Sequence, residues 1–353
     1  MSARPPTVVG IDRLAEFTDR IDVRSPAEYA LDHLPGAVSH PVLDDAERAR
    51  IGTLHRQESA FAARKTGAAL VAKNIAAMLE SAFAGHSRAW QPLVYCWRGG
   101  KRSGALTHVL NEIGWKAVQL DGGYKTYRQH VTAELAQLPQ TFSYRVICGV
   151  TGSGKSRLLQ ALARAGAQVL DLEALARHRG SLLGDLPLDP QPSQKGFESL
   201  LWQQLTRLDP ARPVYVESES KKVGEIRVPQ NLIERMWQSP CLRVETTLGA
   251  RLALLRAEYA HFIADPDALH KKLGHLTALR GAAATARWRA LSDAGEWDAL
   301  VEDLLVQHYD PAYLRSMRLN YPRHESAAPV ALEGIGEAEF AAAATRIVAE
   351  CGG

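Results

Sequence analysis

The segment Gly149–Ser156, with the sequence GVTGSGKS, limits the possible folds of this chain more than any other stretch. It has the G-x4-G-K-S spacing of a phosphate-binding loop, with a strand-like run before it at 144–148 and a helical pattern after it at 157–165. The glycines free backbone N–H groups to face a phosphate, Lys155 adds a full positive charge, and Ser156 is placed to bind Mg²⁺. This pattern predicts a parallel α/β sheet. The residues that we predict to bind phosphate or diphosphate are Gly149, Gly152, Ser153, Gly154, Lys155 and Ser156.

Acidic residues follow two further strand-like runs of the same region. Asp171 and Glu173 come after the run at 168–170, and Glu217 comes after the run at 213–216. The carboxyl ends of parallel strands meet at one edge of a sheet, where such acids hold Mg²⁺ or substrate. Helix capping is the alternative for the first two, and an ordinary charged turn is the alternative for Glu217.

A second loop, Cys96–Ser103 with the sequence CWRGGKRS, connects an apolar run to a helical pattern. Its two glycines let backbone N–H groups turn towards an anion. The cations Arg98, Lys101 and Arg102 and the helix N-terminus favour the thiolate of Cys96 over the thiol, whose ordinary pKa is about 8.5. The loop therefore predicts a reactive thiol that carries an anionic group. A packing cysteine is the alternative, but it has no use for three cations and two glycines.

Cations are frequent at two other places. Arg179 and the cluster of Lys221, Lys222 and Arg227 are candidate contacts for an anionic substrate. From position 251 to 289 there are seven Lys or Arg and three acids, with aromatic residues interleaved. This composition suits an RNA backbone and its bases, and a solvated helix face is the alternative. The candidate contacts in that stretch are Lys271 and Lys272.

Composition sets the remaining limits. A chain of 353 residues with 46% hydrophobic residues is expected to form two domains. Its net charge of +3 permits nucleic-acid binding without indicating it. The N-terminus lacks a signal-peptide pattern and no apolar run reaches about 18 residues, so we expect a cytoplasmic protein. The four cysteines form no C-x-x-C pair, which argues against a zinc site or a disulfide framework; they are Cys96, Cys148, Cys241 and Cys351.

Four segments of the first 130 residues occur in the order found in rhodanese sulfurtransferase domains, which this part of the chain resembles. They are DVRSPAEY, HLPGA, CWRGGKRS and DGGY. The resemblance implies that Cys96 carries a chalcogen and that Arg102 closes its loop. Related phosphatases share the C-x5-R loop but commonly have His before the cysteine, and Tyr95 at that position disfavours a phosphatase. Asp22 and Arg24 lie at a predicted strand end, either as functional groups or as a structural ion pair.

The order of the two loops resembles the tRNA 2-selenouridine synthase family. The segments LDLEALARHRGSLLG, VESESKKVG and HYDPAYL extend the resemblance over nearly the whole chain. It implies a transferase that converts 5-substituted 2-thiouridine at the tRNA wobble position to 2-selenouridine, through an S-geranyl intermediate. The implied substrates are tRNA, selenophosphate and geranyl diphosphate. No tightly bound cofactor is expected, and Ser156 is a candidate ligand for Mg²⁺.

The predicted fold class is α/β throughout. We expect a rhodanese-like α/β domain, a P-loop NTPase-like parallel α/β domain and a helical C-terminal region that contacts tRNA. Their predicted bounds are 1–130 for the first domain, 131–143 for a linker, 144–248 for the second domain and 249–353 for the helical region.

Two other functions remain open from the sequence. One is ATP-dependent tRNA thiolation, because a phosphate loop recognises a phosphate chain and not the group attached to it. The other is a regulatory fusion, which the intact CWRGGKRS and GVTGSGKS motifs disfavour. The loop could thus bind geranyl diphosphate, a nucleotide or a tRNA phosphate, and the sequence does not locate an apolar pocket for a geranyl tail.

Overall fold

The computed structural model of the chain describes residues 7–351. The described chain divides into two compact units, one formed by residues 7–135 and 192–203 and the other by residues 136–191 and 204–351. Within residues 7–351, no helix combines the length and the apolar composition that crossing a membrane requires.

The first unit is built on five short strands: β1 (Val8–Val9), β2 (Arg20–Asp22), β3 (Ala37–Ser39), β4 (Leu93–Tyr95) and β5 (Val118–Leu120). They form one parallel sheet in the order β1-β5-β4-β2-β3. The central strand β4 is buried along its whole length, as its unbroken apolar sequence requires. The sheet confirms the predicted α/β class, and its centre delivers Cys96 to the loop that follows β4.

Five helices surround this sheet, and a 3₁₀ turn at Ile11–Glu16 precedes them. The helices are α1 (Pro26–Leu31), α2 (Asp45–Gln57), α3 (Ala60–Glu80), α4 (Lys101–Ile113) and α5 (Gly123–Leu135). A capping box formed by Ser25 and Glu28 begins α1. The sequence pattern does not predict α2, because no residue of this helix is buried and it carries no apolar stripe to recognise.

The second unit is built on a second five-stranded parallel sheet. Its strands are β6 (Tyr144–Cys148), β7 (Gln168–Leu170), β8 (Val214–Glu217), β11 (Cys241–Thr246) and β12 (Ala328–Leu332), and a separate antiparallel pair consists of β9 (Lys222–Val223) and β10 (Ile226–Arg227). The order is β12-β11-β6-β8-β7. β6 lies between β8 and β11, so the phosphate loop leaves the sheet at its centre. Parallel strands with helices between them confirm the predicted class of this unit.

The helices of the second unit fall into two groups. Those interspersed with the strands are α6 (Lys155–Arg164), α7 (Leu172–Ala176), α9 (Gln230–Trp237) and the terminal α17 (Glu337–Cys351). Those that follow β11 are α10 (Leu248–Glu258), α11 (Ala260–Ala264), α12 (Pro266–Gly274), α13 (Thr277–Arg280), α14 (Ala282–Asp293), α15 (Trp297–Leu304) and α16 (Asp310–Asn320), with a π-helical turn at Leu305–Tyr309. Trp288 is fully buried at the centre of this second group.

Three predicted bounds need correction. The predicted boundary at 248 does not separate the sheet from the helical region, because β12 returns to pair with β11. β12 is an edge strand with a proline and exposed positions, so it has no strong strand pattern. The predicted linker is ordered: α5 runs to Leu135, and a 3₁₀ turn spans Leu138–Thr141. α8 (Gln194–Leu205) interrupts the predicted second domain, because most of this helix belongs to the first unit.

Candidate functional site

The thiol of Cys96 lies at the end of β4, with its sulfur held by two donors. Cys96 is buried, with 4% of its surface exposed. Its Sγ accepts a hydrogen bond from the backbone N–H of Gly100 at 3.3 Å and another from the hydroxyl of Ser103 at 3.1 Å. α4 begins at Lys101, so the sulfur also lies at the N-terminus of a helix. Each of these features stabilises a negative charge on sulfur.

The pKa of the Cys96 thiol is lowered by these donors. Burial is the largest single effect and raises the pKa. Hydrogen bonds from Ser103 and from the backbone N–H groups of Arg98 and Gly100 together outweigh it, and the net shift is downward. The sequence predicts the lowered pKa but attributes it to the three cations and the helix N-terminus. The principal causes are instead a buried hydroxyl group and backbone N–H groups.

Gln119 orients the hydroxyl group of Ser103. Its Nε2 donates to Ser103 Oγ at 2.9 Å and also contacts the carbonyl oxygens of Gly99 and Gly100. Because Ser103 accepts from Gln119, its own proton is available to the sulfur. Ser103 and Gln119 are functional residues that the sequence pattern does not reveal, since serine and glutamine are common near helix starts and in strands.

The DGGY turn, at residues 121–124, contacts the loop that follows β4 through backbone atoms. The backbone N–H of Tyr124 donates to the carbonyl oxygen of Cys96 at 2.8 Å. Gly123 adopts a φ of 58°. A Cβ atom there would lie 2.3 Å from the Cys96 carbonyl oxygen and 2.4 Å from the Gly99 nitrogen. Only glycine therefore permits this close approach of two backbone segments.

The three predicted cations lie around the mouth of the site. A cavity of about 580 Å³ opens over the sulfur, and it is lined by Glu28, Arg48, Cys96, Trp97, Arg98, Gly100, Lys101 and Arg102. Arg102 is held by Glu28, whose Oε2 lies 2.8 Å from Nη1. Arg98 and Lys101 are exposed. The cations are therefore placed to attract an anionic group into the cavity, and their roles stay predictions.

We expect Ser103→Ala to raise the pKa of the Cys96 thiol, because it removes the nearest side-chain donor. Below the titration midpoint, alkylation by iodoacetamide should be about tenfold slower than in the wild type. The measurement is the alkylation rate as a function of pH. Thr107→Ala is the matched control, because this buried hydroxyl lies one turn further along α4 and has no partner among residues 7–351. An unchanged pH profile in Ser103→Ala would contradict the assigned donor.

Asp22 and Arg24 form a structural ion pair, not a site. Both are buried, and Arg24 Nη2 lies 2.6 Å from Asp22 Oδ2. The guanidinium of Arg24 stacks 3.9 Å from the ring centroid of Tyr124 and donates to the carbonyl oxygen of Asp32. These contacts leave no face of the pair open to a substrate.

The phosphate loop forms the floor of a cavity of about 620 Å³ in the second unit. Lys155 and Ser156 line this cavity, as do Thr151 and Gly152. Lys155 Nζ donates to the carbonyl oxygen of Gly149 at 2.8 Å. Ser153 is buried beneath the loop. The predicted phosphate ligands thus occupy one continuous loop at the N-terminus of α6.

Three carboxylates converge beside Ser156. Oxygen atoms of Glu173, Glu217 and Glu219 all lie within 4.8 Å of one another, and Ser156 Oγ donates to Glu173 Oε2 at 3.3 Å. Glu217 and Glu219 are 3% and 9% exposed, and Oε1 of Glu217 has no hydrogen-bond partner among the described residues. Burial, with repulsion from neighbouring carboxylates, raises the pKa of Glu217 to about 7 and that of Glu219 to about 8, and raises that of Glu173 as well.

This cluster fits a divalent cation. Mg²⁺ prefers oxygen ligands, and an orphaned buried carboxylate oxygen supplies one. The sequence identifies Glu173 and Glu217 as candidates but omits Glu219, which lies two residues after Glu217 on the same side of the chain. Asp171 caps α7 by accepting from the backbone N–H of Ala174 at 2.8 Å, which supports the capping alternative for that residue.

We expect the cation-free protein to lose stability as the pH rises from about 4.5 to about 8. The folded-state pKa of these carboxyl groups lies above their unfolded value, so folding favours the protonated form and this contribution disappears as they ionise. Mg²⁺ should restore the melting temperature at pH 8 and have little effect at pH 5. Thermal unfolding with and without Mg²⁺ tests this. In Glu217→Gln with Glu219→Gln, both dependences should weaken, and persistence of the full Mg²⁺ effect would contradict the site.

The helical region holds the phosphate loop in place through the HYDPAYL segment. Arg251 donates to the carbonyl oxygen of Thr151 at 2.9 Å and forms a bidentate ion pair with Asp310. The hydroxyl of Tyr313 accepts from the backbone N–H of Gly149 at 2.6 Å. Arg251 is 7% exposed, so it is not an RNA contact. These residues position the loop, and the sequence pattern gives no sign of their pairing because they lie far apart along the chain.

The predicted cationic contacts lie in different surroundings. Arg179 lines the phosphate-loop cavity, where its Nη1 donates to the carbonyl oxygen of Glu258 at 2.9 Å. Lys272 forms an ion pair with Asp185. Lys221 lies 5.4 Å from the ring centroid of Trp237. The remaining three predicted contacts are exposed and stay predictions: Lys222, Arg227 and Lys271.

An apolar cavity adjoins the phosphate-loop cavity. Its volume is about 70 Å³, and most of its wall comes from the helices that follow β11. The shared wall of the two cavities consists of Thr151, Ser181, Leu255, Tyr259 and Tyr309. The rest of the wall is made of Arg256 and nine apolar residues: Leu183, Phe262, Ile263, Leu269, Trp297, Leu300, Val301, Leu304 and Leu305. A site for phosphates and a site for hydrocarbon are therefore contiguous in one unit.

Comparisons with known proteins identify matching domain models and relatives. A family model for the tRNA 2-selenouridine synthase AAA domain matches residues 142–272, and a rhodanese-like domain model matches residues 12–130. A tRNA 2-selenouridine synthase from Nitrosomonas europaea is 36% identical over 262 residues, covering 71% of this chain and 67% of that protein. One from Salmonella enteritidis is 35% identical over 329 residues, covering 84% and 88%. Among solved structures, a rhodanese-related protein from Thermoplasma volcanium is 16% identical, with a TM-score of 0.23 over 35% of this chain and 91% of its own.

A reactive-thiol α/β unit and a phosphate-loop α/β unit in one chain define a two-domain group-transfer enzyme. The relatives narrow this class further. The chain belongs to the tRNA 2-selenouridine synthase family.

Proposed function

We propose that this enzyme converts 2-thiouridine at the wobble position of tRNA to 2-selenouridine in two steps, using geranyl diphosphate and then selenophosphate. The observation that carries the proposal is the contiguity of the phosphate-loop cavity with an apolar cavity. A nucleotide has no hydrocarbon tail to place in such a cavity, whereas an isoprenoid diphosphate has both of the groups that the two cavities suit.

The first step is alkylation of the uridine sulfur. The sulfur attacks the first carbon of the geranyl chain, the bond from that carbon to oxygen breaks, diphosphate leaves with the electron pair, and N3 of the uridine loses its proton to solvent. Lys155 and Gly152 of the phosphate loop line the cavity that we assign to the diphosphate. There the ammonium group of Lys155 would stabilise the charge that develops on the leaving oxygen. Mg²⁺, when bound by Ser156 and the three glutamates, would neutralise further charge on the diphosphate.

The apolar cavity is assigned to the tail of the geranyl chain. Its wall is formed by side chains of Phe262, Leu300 and Leu304, which are nearly or fully buried. Burial of apolar surface contributes about 25 cal/mol per Å², so several methyl and methylene groups placed there add to the affinity that the phosphates supply. Leu300 and Leu304 belong to the apolar core of the helical region and also form part of the cavity wall.

The second step replaces the alkylated sulfur by selenium. Alkylation turns the sulfur on C2 into a leaving group. We assign Cys96 the role of nucleophile: its thiolate bonds to C2, and geranylthiolate departs with the electron pair of the carbon–sulfur bond. The selenium of selenophosphate then bonds to C2 and displaces the Cys96 thiolate, and water cleaves the selenium–phosphorus bond, so that phosphate leaves and a proton returns to N3. A selenium atom held on the Cys96 sulfur would need a two-electron oxidant, which these substrates do not supply. The donors around its sulfur and the cations at the cavity mouth both favour an anion at this position.

The proposal is tested by incubating the protein with thiolated tRNA and geranyl diphosphate without nucleotide, followed by nucleoside analysis. We expect S-geranyl-2-thiouridine in the absence of ATP. Formation of product only when ATP is added would support an ATP-dependent reaction instead. A protein that leaves the nucleosides unchanged under both conditions would favour a regulatory role.

We expect Val301→Phe to impair geranyl transfer by filling the apolar cavity. The KM for geranyl diphosphate should rise at least about tenfold, because the tail loses its contact surface, while the Kd for inorganic pyrophosphate stays unchanged. Val306→Phe is the matched control, because that side chain is 53% exposed and does not line the cavity. Equal effects of the two variants, or equal loss of pyrophosphate binding in Val301→Phe, would contradict the assignment of the tail site.

A further inference from the structure

The helical hairpin of α2 and α3 projects a cationic tip from the first unit. Between positions 48 and 73 it contains six Lys or Arg and a single acid, Glu58. The two helices meet at 58–59, and the side chains that surround this connection are exposed. We define the hairpin tip by its exposed residues His55, Arg56, Phe61, Arg64 and Lys65.

The base of the hairpin is anchored in the first unit, and the acidic residues at the base form hydrogen bonds there. Asp44 caps α2 by accepting from the backbone N–H of Glu47 at 2.7 Å, and Asp45 accepts from the backbone N–H of Ala27. Asn74 donates to Glu47 Oε2 at 2.8 Å. Ile75 and Met78 of α3 lie in the core of the unit. These three acids are therefore engaged at the base, which leaves Glu58 as the one acid between positions 48 and 73.

Within residues 7–351, the cations of the tip have no acidic partners. Among the described residues, none of Arg56, Arg64 and Lys65 forms an ion pair, and all three are exposed. The cations of the helical region contrast with them: Arg256, Lys272 and Arg287 are each paired with an aspartate. Unpaired exposed cations are the ones that can release counterions on binding a polyanion.

An aromatic side chain stands among these cations. Phe61 is 72% exposed, although burial of its ring would be favourable. Exposed aromatic rings between cations are the surface that unpaired nucleotides bind, because the ring stacks on a base while the cations bind the backbone. Arg48 lies on α2, as Arg56 does, and lines the cavity over Cys96, so cations continue from that cavity into the hairpin.

We propose that the hairpin tip docks the RNA substrate, with Arg56, Arg64 and Lys65 on phosphates and Phe61 stacked on an unpaired base. The proposal rests on the proposed function, which makes tRNA the substrate. It places an RNA contact in the first unit, in addition to the predicted contacts at Lys271 and Lys272. The hairpin holds the RNA so that its modified uridine reaches the cavity over Cys96.

The test measures binding of the full-length protein to thiolated tRNA by fluorescence anisotropy as a function of KCl concentration. The combined variant Arg56→Gln, Arg64→Gln, Lys65→Gln should lower the salt slope by about 2 to 3 and weaken binding at least roughly tenfold at about 0.1 M salt. The control Arg88→Gln, Lys116→Gln, Arg207→Gln removes the same charge from exposed positions outside the hairpin. Its slope and affinity should stay close to those of the wild type.

A second pair of variants tests the ring without changing the charge. Phe61→Leu should weaken binding about fivefold or more with an unchanged salt slope, while Phe61→Tyr should retain wild-type affinity. Unchanged affinity in both the charge variant and Phe61→Leu overturns the proposal. The tip would then be a surface for a different acidic partner. Equal losses in the charge variant and its control also overturn it. A wild-type protein that binds no tRNA and converts none refutes the proposed function itself, which nucleoside analysis distinguishes.

Discussion

Cys96→Ala is expected to abolish selenium incorporation and to leave geranylation intact. The thiolate of Cys96 is the proposed nucleophile of the selenation step, and removal of a nucleophile commonly costs a thousandfold or more in rate. Alkylation of the uridine sulfur uses the phosphate loop and does not use this thiolate. Nucleoside analysis should therefore show S-geranyl-2-thiouridine accumulating in place of 2-selenouridine.

Cys96→Ser is the control for shape, because serine keeps the size of the side chain and the hydrogen bonds of the loop. It should be as inactive as the alanine variant in selenation. Two outcomes would contradict the assigned role. One is selenation by Cys96→Ala at the wild-type rate, and the other is loss of geranylation in a variant that unfolds at the wild-type temperature.

Lys155→Ala is expected to weaken diphosphate binding and to slow geranyl transfer. Its ammonium group is the one full positive charge that the phosphate loop contributes to the cavity floor. Loss of one preorganised group that stabilises developing charge costs about 10²- to 10³-fold in rate. Calorimetric titration with inorganic pyrophosphate and single-turnover geranylation measure the two effects separately.

Lys271→Ala serves as the control for Lys155→Ala, since Lys271 is exposed and does not line the cavity. It should bind pyrophosphate as the wild type does. A wild-type pyrophosphate affinity in Lys155→Ala would move the diphosphate site away from the phosphate loop. In that case the contiguity of the two cavities would no longer support the proposed substrate.

The parts of the fold that the sequence predicts are those with local causes. GVTGSGKS must follow a strand and open a helix, and it does so between β6 and α6. CWRGGKRS must end a strand, and it does so after β4. Each is specified within about ten consecutive residues, which is the range over which sequence patterns are informative.

The parts that the sequence does not predict arise from residues distant along the chain. Gln119 reaches Ser103, and Tyr313 reaches Gly149 across 164 positions. The apolar cavity has walls from α10, α11, α12 and α15, none of which differs in pattern from a helix that is only core. Such pairs and cavities depend on tertiary packing, so a single sequence contains no local mark of them.

Charge counting along the sequence identifies cations but not their partners. The stretch 251–289 has the larger run of Lys and Arg, yet Arg251 fixes the phosphate loop and Arg256 pairs with Asp298. The α2–α3 hairpin has fewer Lys and Arg residues than that stretch, but the cations at its tip are unpaired within the described chain. Exposure and pairing, and not abundance, therefore decide which cations are available to RNA.

The division of labour between the two units is tested most directly with tRNA that already carries S-geranyl-2-thiouridine. This tRNA is given with selenophosphate to Lys155→Ala and to Cys96→Ala, and 2-selenouridine is measured. Lys155→Ala should form it at close to the wild-type rate, because the alkylation step has been bypassed, and Cys96→Ala should form none. Formation of 2-selenouridine by Cys96→Ala would contradict the two-step account. So would a failure of both Lys155→Ala and the wild type to form it.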